Sequence, residues 1–155
     1  MKPRILVSLC LLVAVCLPSS SFANTISPQE TINNFHAALI EGDAEGLRST
    51  LGVQVSMYNG TGSAELQDWE PHMFLHGPQV HDWAAFMTDQ AGPHEVDYEI
   101  LSQEERAGLV LIVTTETGQN KFMSWKDSER LYLLGMTDQG WRIVALYYPG
   151  ATNPK

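Results

Sequence analysis

The stretch Ser27–Leu51, SPQETINNFHAALIEGDAEGLRSTL, decides how this chain folds. Ser27 can cap a helix, Pro28 suits its first position, and Glu30 stands where a capping box needs it. Ile32, Phe35, His36, Leu39 and Ile40 then recur at helical spacing and make one apolar stripe. Gly42 is placed to stop that helix, and Asp43 to cap a shorter one through Leu47 and Leu51. A helical hairpin is therefore expected at the front of the domain.

Towards the C-terminus the apolar period falls from near four to two. Val53, Val55 and Met57 alternate with polar or amphipathic neighbours, and Asn59-Gly60 reads as a hairpin turn. A second strand is expected within Ser63–Trp69, and Pro71, Gly77 and Pro78 suggest an irregular connection over residues 70–78. GPQVHDWAAFM reads as a third helix, with Val80, Trp83, Ala84 and Met87 on one face. EVDYEIL, LVLIVTTET, Lys121–Met136 and WRIVALYY read as four strands, joined by turns at QEERAG, TGQN and TDQG. Leu109–Val113 is apolar throughout, as a strand covered on both faces would be. The tail PGATNPK reads as a frayed end. The order helix, helix, two strands, helix, four strands predicts an α+β domain: a curved, mostly antiparallel sheet wrapped on helices. A sheet of that shape with a helix across its mouth encloses a cavity suited to a small molecule.

Towards the N-terminus, Lys2 and Arg4 precede the apolar run ILVSLCLLVAVCL, and Pro18 and serines lead to Ser21-Phe22-Ala23. A positive start, a run of 13 residues against the ~20 of a membrane span, and small residues before the cut define a secretory signal. Cleavage is expected after Ala23, which makes residues 24–150 the domain and 151–155 the tail. The product would be periplasmic or secreted, with no membrane association after cleavage. A retained anchor, or acylation at Cys16, is the minor alternative; Val15 fits poorly before an acylated cysteine.

Both cysteines, Cys10 and Cys16, lie in that segment, so the mature domain has no disulfide or thiol chemistry. It keeps all 18 acidic residues and 7 of the 9 basic ones, a net charge of −11. That field repels nucleic acid and anionic membranes. No nucleophile elbow, phosphate loop or dinucleotide fingerprint is present.

NNFHAALIEGDAEGLRSTL, GPQVHDWAAFM and DQGWRIVALYY, in this order, resemble the nuclear transport factor 2-like superfamily, the cone-shaped α+β barrel of ketosteroid isomerases, scytalone dehydratases and polyketide cyclases. The resemblance implies a pocket, frequent dimerisation, and either catalysis or simple binding. Matched on the shared helices, the isomerase tyrosine falls on Phe35 and the aspartate base near Asn59. Phenylalanine cannot donate a hydrogen bond and asparagine cannot abstract a proton, which argues against isomerase chemistry.

His36, on the apolar stripe, is the candidate catalytic residue: a general base, or a core histidine bonded to a neighbour. Phe35, His36, Tyr58, Trp83, Trp125 and Tyr132 are the candidate ligand-binding residues, with ordinary core as the alternative for the aromatics. Trp69 and Trp141 are expected at edges. His72, His76, His81 and His94, with Asp82, match no zinc spacing, and the histidines are expected to be solvated loop residues, so neither metal nor cofactor is expected. Asn59-Gly60-Thr61 also forms a glycosylation sequon. The leading reading is a non-catalytic pocket for a small, largely apolar ligand. The alternatives are a cofactor-independent lyase, isomerase or cyclase using His36 with a second polar wall group, and a module that dimerises through its sheet face.

Overall fold

The computed structural model describes residues 26–60, 69–149 and 153–154, so the expected signal segment, the second strand's start and Thr61 of the sequon lie outside it. Helix α1 spans Pro28–Glu41. The Ser27 hydroxyl accepts from the Glu30 amide at 3.1 Å, and Gly42 ends the helix in the left-handed region at φ 70°. The apolar stripe ends one residue early: Ile40 is exposed, whereas Ala38 and Leu39 are buried. Helix α2, Ala44–Ser49, is capped by Asp43, whose Oδ1 accepts from the Gly46 amide at 2.9 Å. A Cβ on Gly46 would sit 2.3 Å from Asp43 Oδ2, so the cap and the glycine come as a pair. Leu51 belongs to the first strand rather than to α2.

Strand β1 runs Leu51–Gly60 and pairs antiparallel with β2, Trp69–His76. Two expectations fail here. Asn59 and Gly60 are not the turn but strand residues opposite Glu70 and Trp69, and residues 70–76 are strand rather than loop. The proline is accommodated because β2 lies at the sheet edge, beside a register shift at Met57/Tyr58. Val53 points to solvent, at 82 % exposure, because β1 slips register on its other neighbour between Leu51 and Ser56. Leu51, Val55 and Met57 face inward.

Helix α3, Pro78–Ala85, buries Val80 and Ala84, and one π-helical turn, Phe86–Gln90, continues it. The Thr88 hydroxyl takes the Ala84 carbonyl at 3.1 Å, and the Ala91 amide reaches Phe86 O at 3.0 Å. Strands β3 (Glu95–Arg106), β4 (Leu109–Gln119), β5 (Met123–Thr137) and β6 (Gly140–Pro149) follow as an antiparallel meander. The turns are tighter than expected: Ala107-Gly108, both at positive φ, joins β3 to β4. Asn120 Oδ1 accepts the Phe122 and Met123 amides at the next turn. The tail is not wholly frayed, for β7 (Asn153–Pro154) pairs with β5.

Among the described residues the sheet order is β2-β1-β6-β5-β4-β3, parallel only between β1 and β6. It is curved but open, with β2 and β3 at its two ends, so the barrel does not close. Its concave face supplies Val55, Val110, Ile112, Leu134, Ile143 and Leu146 to the core, against Ile32, Phe35, Leu39 and Leu47 of the helices. On β4 only alternate residues are buried, so Leu109–Val113 is not covered on both faces; Leu111 and Val113 are half-exposed on the outer one. Among the described residues no helix is long and apolar enough to cross a membrane.

Candidate functional site

The inner phase of β4 reads Val110, Ile112, Thr114, Glu116: three residues suited to a core, then a carboxylate. The inner phase of β5 likewise carries Arg130 two residues before Tyr132 and four before Leu134. Thr114 lies opposite Arg130 in the ladder, so Glu116 and Arg130 are diagonal neighbours on one face. Burying two charges is costly unless each is compensated.

Glu116 is fully compensated. Its Oε1 accepts from Tyr132 Oη at 2.5 Å, Thr114 Oγ1 at 3.0 Å and His36 Nε2 at 3.0 Å, while Oε2 lies 3.0 Å from Arg130 Nε. Burial alone would raise its pKa. The hydrogen bond from His36, the charges of Arg130 and His36, and the Tyr132 hydroxyl together reverse that and hold it at about 2. His36 Nδ1–H donates to Ile32 O at 3.0 Å. A carbonyl and an ionised carboxylate can only accept, so His36 donates from both ring nitrogens. Tyr98 stacks on its ring at 3.9 Å and 13°. Burial, and then the charge of Glu116, push the Tyr132 hydroxyl well above the ordinary tyrosine range.

Beside this cluster opens a cavity of about 300 Å³. Phe35, Leu39, Met57, Trp83, Phe86 and Met87 line its apolar part, and Glu116, Arg130, His94, Trp125 and Tyr148 its polar end. The Arg130 guanidinium lies over two aromatic rings, 4.6 Å from the centroid of Trp125 and 4.8 Å from that of Tyr148. Burial, only partly offset by Arg130, pushes the Tyr148 hydroxyl up to about 12, so it stays neutral. Trp125 owes its position to Gly118, where a Cβ would meet the indole at 2.8 Å and Glu95 O at 2.4 Å.

Of the residues singled out from the sequence, Phe35, Trp83 and Trp125 line the cavity. His36 and Tyr132 lie behind its wall, joined to it through Glu116. Tyr58 is half-buried and not in the lining. Trp141 packs half-buried against the core, and the Trp69 side chain is outside the described set. His72, His76 and His81 are exposed, as expected of solvated histidines, but His94 is not. It is 4 % exposed and donates from Nε2 to Met87 O at 2.9 Å. Burial lowers its pKa, the Met87 bond opposes this, and Arg130 adds to the lowering, so His94 is neutral. Among the described residues no group of His, Cys, Asp or Glu could hold a metal ion. Glu116, Arg130 and Tyr148 carry no mark in the sequence reading above. The signal for the first two was a charge in the buried phase of each of two neighbouring strands.

No protein-family model matches the chain, and no curated protein does. Solved structures match closely in shape and weakly in sequence. A candidate calcium/calmodulin-dependent protein kinase type II association domain from Thiobacillus denitrificans aligns with TM-score 0.61 at 14 % identity, over 82 % of this chain and 97 % of that one. A candidate dehydratase of the nuclear transport factor 2-like family from Streptomyces avermitilis gives 0.57 at 14 %, over 78 % and 91 %. A ketosteroid isomerase-like protein from Erwinia carotovora atroseptica gives 0.54 at 13 %, again over 78 % and 91 %. Element order, an open curved sheet around three helices and these superpositions lead to one conclusion: the chain has the nuclear transport factor 2-like fold.

Proposed function

We propose that the domain is a non-catalytic receptor that holds a small, largely apolar molecule in the cavity between α1, α3 and the sheet. The observation that carries this is the cavity itself, about 300 Å³ and walled mainly by Phe, Leu, Met and Trp side chains. At water's share of roughly 30 Å³ per molecule, that space suits a ligand of about ten non-hydrogen atoms. Methionine suits such a wall because its thioether adapts to varied shapes. A lyase, isomerase or cyclase built on His36 would need that ring at the cavity surface. Instead the side chain is 1 % exposed and both nitrogens are engaged. The test is thermal denaturation of the purified domain against a panel of apolar compounds of about ten heavy atoms, with native mass spectrometry for a retained ligand. A ligand-dependent rise in Tm is expected; a flat response across the panel, with no retained species, removes the proposal.

A second reading rests on the opposite face of the sheet. Leu111 and Val113 of β4 stand opposite Leu133 and Leu131 of β5, and Ala145 of β6 continues the row, all half-exposed. This convex apolar strip fits a second copy of the chain, and one neighbour in shape is described as an association domain. Sedimentation of the domain as a dimer at micromolar concentration, abolished by Leu133→Asp, is expected; a monomer throughout refutes it. The signal-like N-terminus further supports action outside the cytoplasm. N-terminal sequencing of the protein from a periplasmic or culture fraction would then begin at Asn24.

A further inference from the structure

Resting on the reading of the cavity as a ligand site, we infer that Arg130 anchors a carboxylate carried by that ligand. Arginine has five N–H donors and no acceptor. The Arg130 side chain is only 13 % exposed, and its Nε is a buried donor with no hydrogen-bond acceptor among the described residues. The contact with Glu116 is an ion pair through Nε, at 3.0 Å, with the N–H not directed at the oxygen. A second buried donor in the same wall, Trp125 Nε1–H, also lacks a partner. Natural proteins seldom leave buried donors unpaired, because each costs about 1–3 kcal/mol. Two donor-only groups side by side in a cavity wall call for an acceptor from outside the chain.

The class of acceptor follows from charge and shape. The guanidinium lies over the rings of Trp125 and Tyr148, which offer it π-faces but no hydrogen-bond acceptor, and a planar two-oxygen group matches its N–H fork. One cation is available: His94 is neutral, and His36 is committed to Glu116 behind the wall. A single charge suits a monocarboxylate better than a phosphate dianion. Glu116 does not compete, because Oε1 is taken by three donors and Oε2 lies on the Nε side. The apolar wall formed by Leu39, Met57, Trp83 and Met87 would take the remainder of the molecule.

Calorimetric titration with octanoate and its neutral isostere octanamide tests this. Octanoate is expected to bind at least about tenfold more tightly, a difference of about 1.4 kcal/mol. Arg130→Lys, which keeps the charge and loses the planar fork, should remove most of that difference and leave octanamide unchanged. Equal binding of the two probes by the unsubstituted protein overturns the carboxylate inference and leaves the cavity reading standing. Failure of both to bind overturns both. A preference for octanoate that survives Arg130→Lys and Arg130→Met removes Arg130 as its cause. Should either variant unfold, ¹⁵N-arginine spectra of the unsubstituted protein decide: the Arg130 Nε–H signal shifts with octanoate if the assignment holds, and stays put if it does not.

Discussion

Two buried polar groups face each other across 3.0 Å in this domain, and they are finished differently. Around Glu116 there are three donors for one oxygen and a cation beside the other. Around Arg130 there are two aromatic rings, one carboxylate at an imperfect angle, and a buried Nε–H with no hydrogen-bond acceptor among the described residues. Both are charged and both come from the inner phase of neighbouring strands. A closed network fixes a fold, because every member is already paired. An open one stores binding capacity, because the missing partner can come from solution. On this contrast, the carboxylate is a structural element and the guanidinium is the group we propose as the receptor.

The largest expected effect breaks the closed side. Glu116→Ala leaves His36 Nε2–H, Tyr132 Oη–H and Thr114 Oγ1–H without their acceptor, and leaves Arg130 without a counter-charge. A loss of about 3–5 kcal/mol is expected in urea denaturation, the range for an uncompensated buried charge. Arg130→Met removes a cation from a carboxylate that keeps three hydrogen bonds, so it should cost only about 1–2 kcal/mol. If the two variants are equally unstable, the division into structural and receptor groups is wrong.

Acid titration separates the same two groups with no cavity introduced. The carboxyl of Glu116 has a folded-state pKa of about 2, below its ordinary 4.5, so its ionised form favours the fold. That contribution is fully present above about pH 4.5 and is lost as pH falls towards 2, amounting to a few kcal/mol. The urea midpoint should decline over this window, and Glu116→Gln should flatten the decline. An unchanged profile in that variant would mean that other carboxylates dominate acid unfolding.

A smaller effect tests how the receptor side is held. Gly118→Ala places a methyl group against the Trp125 indole and the Glu95 carbonyl. A cost of about 1–3 kcal/mol is expected, with a shift in tryptophan fluorescence as the ring leaves the guanidinium. The closed cluster, one strand position away on the far side of Glu116, should retain its acid profile.

The contrast also explains how far the sequence could be read. Helix α1 was legible to its caps, because Ser27, Pro28 and Gly42 act through local backbone geometry. The β1–β2 hairpin was not. Asn59-Gly60 has turn chemistry, but its pairing with Glu70 and Trp69 carries the strand through it. Register slips beside Leu51 and Met57 are tertiary events that alternation cannot show, and so Val53 appeared to be core. At the site, Phe35, Trp83 and Trp125 were accessible as aromatics in periodic segments. Glu116 and Arg130 are not legible strand by strand, because each alone is one charge among core residues. Only the ladder, with Thr114 opposite Arg130, shows that they neutralise each other. His94 is illegible for a related reason: it is buried, and the acceptor it needs is the carbonyl of Met87, seven residues earlier inside the π-helical turn.

The smallest prediction is the sharpest for the comparison. Tyr132→Phe removes one of three donors from Glu116 Oε1 while keeping the ring that packs edge-on to Phe35 at 5.6 Å. Thr114 and His36 still serve that oxygen, so the cost should be about 1 kcal/mol, near the net value of one hydrogen bond. Tyr132 lies behind the cavity wall and outside its lining. Octanoate affinity should therefore stay within about twofold of the unsubstituted protein, although the network has been cut. A loss approaching that of Arg130→Lys would show that the closed cluster orients the guanidinium as well as supporting the fold. The two groups would then act as one machine.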